Sequence, residues 1–434
     1  MKLSYGKTVL VGLAFLTISS FWQLYDFIVP LILKNTFGIS DTWAGFIMSA
    51  DNILALFMLP LFGLLSDKTH TRIGRRMPFI IFGTVAAVVF MMGIPFAVHT
   101  RLLWLFMTAL GMVLISMSVY RSPAVALMPD VTPKPLRSKG NAVINLMGAL
   151  GGAMILLLNS FLAPDTKSPD ANYWPIFVTV AVIMAAGVAA LVLTVNEPRL
   201  VKKMRQDSAA MGIDAEEAKE LPEAGKTEAK LPSAVRTSMM LILVSIFLWF
   251  MGYNAVTTAF SKYAVNALAL TESQASLILM VAVIAATVAF LPVGIISSKV
   301  GRRKSILFGV VLLAASFGSA VLYTAYSPLM YVNFAMAGIA WACINVNSLP
   351  MVLEMSKGAS VGKYTGYYYT FSMAAQVVTP ILSGALLEHV GYFTLLPYSA
   401  FFVAVAFVTM LFVRHGDSKP VKPTSNLEAL GAGD

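Results

Sequence analysis

The chain has 434 residues, 58% of them hydrophobic and only 12% charged, against about 45–50% and 25% in a soluble domain, so it reads as an all-α integral membrane protein. The net charge of +10 would suggest nucleic acid in a soluble protein, but here the bases flank apolar spans, where retention of positive loops on the cytoplasmic side accounts for them. No nucleic-acid partner follows, and the single cysteine, Cys343, excludes an internal disulfide and sits in an apolar segment as a small hydrophobe.

Twelve apolar stretches of spanning length can be counted, at 8–33, 43–65, 77–98, 102–128, 139–162, 174–195, 237–260, 273–297, 305–326, 329–353, 364–387 and 392–413. The first holds Asp26 and has no small-residue cleavage site, so it is expected to span rather than to be removed. With both termini in the cytoplasm of a multi-pass cell (inner) membrane protein, all 31 Lys and Arg fall in inner loops and tails except Lys34, Arg101, Lys167 and Lys262 in outer loops and Arg121 inside segment 4. That asymmetry sets the expected orientation.

Segments 1 and 2 carry two acids, Asp26 and Asp51. Counted at 1.5 Å per residue, both lie some ~10–12 Å below the outer surface, so Asp26 can face Asp51 or reach Arg121. Acids at such depth are protonatable sites, or else structural pairs. Arg121, in Tyr120-Arg-Ser-Pro-Ala-Val-Ala-Leu-Met-Pro-Asp130, is expected close to the midplane and needs a bundle interior or a wet cavity, and an acidic partner. Pro123 bends that helix and frees a carbonyl, which membranes tolerate only where protein or cavity water satisfies it.

Residues 196–236 form the one long polar stretch, with prolines at 198, 222 and 232 and a Lys/Glu/Ala-rich part around Asp214–Leu221. It reads as a cytoplasmic linker between a first six-helix half (1–195) and a second (237–413), with 414–434 as a cytoplasmic tail.

The halves repeat each other. Gly63-Leu-Leu-Ser-Asp67 with Arg72-Ile-Gly74-Arg75-Arg76 recurs as Gly294-Ile-Ile-Ser-Ser298 with Gly301-Arg-Arg-Lys304. Tyr25-Asp26 matches Tyr253-Asn254, and Arg121 to Asp130 matches Asn345 to Glu354. Such a parallel repeat of six-helix halves resembles the major facilitator superfamily, which implies twelve transmembrane helices in two pseudo-repeats and a substrate site between the halves near the midplane. The loop from Gly63 to Arg76 resembles that superfamily's signature between helices 2 and 3, lengthened by Thr69-His-Thr71. Gly63 permits close packing, while Asp67 can cap a helix end and pair with Arg72, Arg75 and Arg76, so the loop reads as an inner latch. Ser298 replaces the acid in the second half, which implies a latch weighted to the first.

Ser66-Asp-Lys-Thr-His-Thr-Arg-Ile-Gly-Arg-Arg-Met-Pro-Phe-Ile80, with Pro123, Asp130, Arg137 and Asn141, is similar to the plant sucrose/proton symporters and their bacterial relatives in the glycoside-pentoside-hexuronide branch. The resemblance implies a proton-coupling role for Asp130. It departs at Val125, where the sucrose family has an arginine, while Arg121 lies one turn earlier on the same face. Melibiose-type members carry a sodium-binding acidic pair at the positions of Ala55 and Leu59, which favours protons here.

Sugars are held by aromatic faces and by a few amides and charges. The helices that line the cavity in this superfamily supply Trp22, Tyr25, Asp26, Tyr120, Arg121, Trp249, Tyr253, Asn254, Asn345 and Asn347, with Asn145 and Gln376 as further candidates. Asp130 and Glu354 also suit a gate salt bridge to Arg137 or Lys363. The four histidines, His70, His99, His389 and His415, fall at helix ends or loops, and no phosphate loop, serine triad or zinc spacing is present, so no enzyme activity, cofactor or metal is expected. The expected function is a proton-coupled sugar symporter working as a monomer by alternating access on a disaccharide or other glycoside. Two alternatives are a proton-coupled exporter of amphipathic compounds, suggested by 25 methionines, and a transporter-like membrane sensor.

Overall fold

The structure is a computed structural model and describes residues 4–133, 137–168, 171–210, 232–355 and 361–417. Among them every regular element is helical, as expected where a lipid-facing backbone must satisfy its own N–H and C=O groups. The helices are α1 (Tyr5–Leu31), α2 (Asp41–Lys68), α3 (Met77–His99), α4 (Leu103–Val131), α5 (Arg137–Leu162), α6 (Trp174–Thr194), α7 (Glu197–Ala210), α8 (Ser233–Asn266), α9 (Glu272–Val300), α10 (Arg302–Ala320), α11 (Leu329–Met355), α12 (Val361–His389) and α13 (Leu395–Leu411). All but α7 are long and apolar enough to cross a membrane, matching the twelve stretches read from sequence. α1 continues into a π-helical turn, Ile32–Thr36.

The chain divides into two compact units, Met1–Tyr25 with Ile53–Thr227, and Asp26–Asn52 with Glu228–Asp434. The boundaries fall inside α1 and α2, so the Lys34 hairpin between them groups with the second set of six helices.

Within the first unit α3 packs along α4 and α6. A Cβ on Gly83 of α3 would stand 2.8 Å from the Tyr120 Cβ and 3.0 Å from the Ser116 carbonyl of α4, so only glycine allows this approach. Within the second unit α10 packs along α11 in the same manner, and a Cβ on Gly309 would stand 2.7 Å from the Cys343 Cβ. The internal repeat thus recurs as one helix–helix approach made twice, and Cys343, only 6% exposed, serves it as a small packing residue.

Two boundaries differ from the sequence reading. Segment 7 was expected to end at 260 with Lys262 in an outer loop, yet α8 continues to Asn266 and leaves Lys262 3% exposed. The reason is a partner: Lys262 Nζ donates to Asp41 Oδ1 at 3.0 Å. A buried ammonium is tolerated when its charge is compensated, and hydropathy along one segment cannot reveal a carboxylate 221 positions away. Arg121 is therefore not alone as a cation within a spanning helix. The linker, in turn, opens with the helix α7, whose Val201, Met204 and Ser208 face inward while Arg199, Lys202, Lys203 and Arg205 are exposed. Asp214–Leu221 lies outside the described residues.

Candidate functional site

In the first unit α4 is pinned to α1 by Tyr120. Its hydroxyl shares a 2.5 Å hydrogen bond with Thr17 Oγ1 and donates to the Ala14 carbonyl at 2.9 Å, all buried. Tyr120, expected as a ligand group, thus spends its hydroxyl on joining two helices. The next residue, Arg121, places its guanidinium carbon 5.6 Å from the Trp22 ring centroid, within cation–π range. Trp22 meets Phe21 and Tyr25 edge-on at 5.2 and 5.4 Å. Its indole N–H is buried without a partner among the described residues. Trp22 and Arg121 are half-buried, whereas Tyr25 is 2% exposed; Asp26, where the second unit begins, is half-buried as well. Asp26 stands four residues after Trp22, one turn along the same helix face.

In the second unit Tyr253 of α8 and Trp341 of α11 stack face to face, with ring centroids 3.6 Å apart and planes 5° from parallel, and Phe250 meets the Trp341 edge at 5.2 Å. Beside Tyr253, the Asn254 side-chain amide is buried with no partner for its N–H among the described residues. An orphaned amide costs free energy unless something pairs with it, so it leaves a donor open to water or a ligand. Trp249, also expected at the site, is fully buried with an unpartnered indole N–H. Asn347 is buried and donates to the Cys343 carbonyl at 2.9 Å, and Gln376 donates to Ser372 at 3.3 Å. Asn345 and Asn145 are exposed. Asp51 is half-buried and accepts from Asn52 at 2.9 Å.

Sequence reading missed Trp341. Its signal was its position four residues before Asn345, on the same helix face.

The charged residues expected to form a latch after α2 meet one another in the first unit. Arg75 grips Asp130 with two bonds, Nε to Oδ2 at 3.2 Å and Nη2 to Oδ1 at 2.6 Å, and Arg76 Nε reaches the same Oδ2 at 2.8 Å. Arg76 also bonds Asp67 and Ser66, and donates to the Gly63 carbonyl at 3.3 Å. Arg75 Nη1 stands 3.8 Å from Asp67. Such two-pronged arginine–carboxylate contacts fix geometry as well as charge. Arg72 is exposed.

A third carboxylate, unanticipated, completes the cluster. Glu197 at the start of α7 is 1% exposed and accepts from the backbone N–H of Arg75, Arg76 and Met77 at 2.8 to 3.1 Å. It caps α3 from another element, where the open N–H groups and the helix dipole favour a negative charge. Gly74 makes the approach feasible, since its φ of +121° suits glycine and a Cβ there would fall 2.2 Å from Glu197 Oε2. The signal in sequence was an acid just past segment 6, followed by Pro198.

Sequence spacing offered Arg137 and Lys363 as partners of Asp130 and Glu354. The described partners are Arg75 and Arg76 for Asp130 and Arg302 for Glu354, the latter at 2.5 Å; the side chains of Arg137, Lys363 and Ser298 lie outside the described residues.

The model of the Major Facilitator Superfamily matches residues 11–271 and 242–431. The isoprimeverose transporter of Lactiplantibacillus pentosus is 24% identical over 64% of this chain and 56% of its own length. The sucrose transport protein SUC3 of Arabidopsis thaliana is 27% identical over 31% of this chain and 25% of its own, and a proline/betaine transporter of Escherichia coli K12 is 23% identical over 50% and 41%. The chain thus spans little more than half the length of the first of these relatives and less of the others. Among solved structures, the peptide transporter PepTSo2 aligns with a TM-score of 0.67 at 14% identity over 95% of this chain and 96% of that one. The nucleoside transporter NupG aligns at 0.66 and 15% over 94% and 100%. These likenesses show the fold, and all of these proteins are transporters rather than enzymes. With twelve spanning helices, a repeated six-helix plan and a family match over nearly its whole length, the chain is a multi-pass membrane protein belonging to the major facilitator superfamily.

Proposed function

We propose that the chain is a proton-coupled symporter of a sugar, a disaccharide or other glycoside, working by alternating access in the cell membrane with both termini cytoplasmic. The observation that carries this reading is the pairing, in each unit, of an aromatic surface with a hydrogen-bonding side chain. The first has Trp22 under the Arg121 guanidinium, and the second has the Tyr253–Trp341 stack beside the orphaned Asn254 amide. Apolar ring faces suit the C–H surfaces of a pyranose, and a guanidinium and an amide suit its hydroxyls. Two of the relatives carry names of sugar transporters, isoprimeverose and sucrose, which supports the same class.

Coupling is assigned to Asp26, with Asp51 and Asp130 as the other acids. Asp130 is held by two arginines, which suits a gate; Asp26 lies one turn from the aromatic that Arg121 covers. In this reading sugar binding and protonation of Asp26 favour each other, and such a coupling is reciprocal. Ala55 and Leu59 offer no oxygen ligands to a hard cation on α2. The test is uptake of a labelled glycoside panel into proteoliposomes with proton or sodium gradients imposed separately. Accumulation of at least one glycoside under a proton gradient alone supports the reading; uptake driven by sodium at clamped pH, or by no glycoside, overturns it.

A further inference from the structure

A second ionic cluster lies in the second unit, at the end that the charge distribution assigns to the outside. Asp41, the first residue of α2, is fully buried, with 0% exposure. It accepts from Lys262 of α8 at 3.0 Å on one oxygen, and from Lys34 and the Tyr392 hydroxyl, each at 3.0 Å, on the other. Lys34 belongs to the same hairpin as Asp41, so that bond stays within the hairpin. The bonds to Lys262 and Tyr392 cross from the hairpin to α8 and to the turn before α13.

The seam around the cluster is tight. Glu388 at the end of α12 accepts from the Thr42 N–H at 2.9 Å, and Ser49 of α2 donates to the Val377 carbonyl of α12 at 2.8 Å. A Cβ on Gly45 would fall 2.0 Å from the Pro380 carbonyl oxygen, and one on Gly384 would fall 2.3 Å from that of Asp41. Yet α1 and α2 continue past this seam into the first unit, which owns their other ends. The second unit therefore holds the hairpin, while the helices of that hairpin run on into the first.

We propose that Asp41 and Lys262 are the outer gate pair of the transport cycle, which closes the hairpin of residues 26–52 onto α8 and α12 and must part for the outer side to open. The chemistry suits a bond that breaks repeatedly. When the hairpin leaves, Asp41 keeps Lys34, and both freed charges meet water, so the Coulomb energy given up is largely replaced by hydration. A fully apolar seam would have no such replacement.

The gate is tested by thiol labelling in the full chain with Cys343→Ser. Ser49→Cys, buried in this seam, is exposed to a membrane-impermeant maleimide from the outside, with and without changes to the pair. No substrate is needed, so the result is independent of the sugar reading. Asp41→Asn and Lys262→Gln are each expected to raise the labelling rate about tenfold by shifting the closed population, and Lys262→Arg to keep the native rate. Since removing one partner strands a buried charge, Asp41→Asn with Lys262→Gln is measured alongside; it strands no buried charge, because Lys34 is one-third exposed and reaches water, and it is expected to label as fast as the single variants. Native labelling in that double variant, or in single variants whose only change is a lower melting temperature, would make the pair merely structural and overturn the proposal.

Discussion

The Arg121 guanidinium stands 5.6 Å over the Trp22 ring, so a cation near the middle of α4 is held against an aromatic of α1 rather than in a loop. The arrangement needs both its charge and its plane, because a guanidinium stacks and offers paired donors where an ammonium is a compact, strongly hydrated point. Arg121→Lys is therefore expected to fail nearly as badly as Arg121→Ala. Hydrogen bonds to a charged group contribute about 1.5–3 kcal/mol, which corresponds to roughly 10- to 100-fold in glycoside affinity. Equilibrium binding to purified protein reads this directly; native affinity in Arg121→Lys would show that charge alone suffices.

The Tyr253–Trp341 stack gives a second expectation. Trp341→Ala should weaken glycoside binding about tenfold, near the upper end of what an aromatic pair contributes beyond its area, while Tyr253→Phe, which keeps the ring, should stay within about threefold of native. If the two variants bind alike, the platform is packing and not part of the site.

The latch makes a prediction about folding and cycling together. Asp130→Asn removes the carboxylate shared by Arg75 and the 4%-exposed Arg76; Arg76 keeps Asp67, so the loss is that of hydrogen bonds between charged groups, about 1.5–3 kcal/mol each. Glu197→Gln loses the charge on the start of α3, about 0.3–1 kcal/mol, and turns one of two accepting oxygens into an N–H₂ group facing a backbone N–H, which leaves a buried donor unpaired at about 1–3 kcal/mol. Thermal melting should therefore place both variants below the native protein, with Asp130→Asn the lower because it loses three bonds to arginines. Gly74→Ala should fall nearer Asp130→Asn, since it meets both an unfavourable φ and the Glu197 carboxylate. Transport by Asp67→Asn should drop more than Ser298→Asp alters it.

The twelve spans were legible because each is a local run whose apolar length is set by the membrane, and the internal repeat was legible because its motifs survive at a nearly constant offset. The arginines at 75 and 76 were legible for the same reason, standing in one short loop. Pairings between distant elements were not. Nothing near Asp41 points to Lys262, nothing near Gly74 points to Glu197, and Lys262 looked like a loop residue because its compensation comes from another helix. Trp341 was overlooked because an aromatic in an apolar run carries no mark of which neighbour it stacks on; only the Tyr253 ring, 3.6 Å away, singles it out. Tyr120 shows the converse, a polar aromatic that looked like a ligand group and whose hydroxyl joins α4 to α1.

Proton-coupled symport is tested most directly by Asp26→Asn in proteoliposomes, with accumulation and exchange measured on the same preparation. If Asp26 carries the coupled proton, glycoside accumulation under a proton gradient falls to the level of passive equilibration, while exchange of labelled for unlabelled glycoside at equal pH persists. Accumulation at the native level in Asp26→Asn would contradict this and move the coupling role to Asp51 or Asp130.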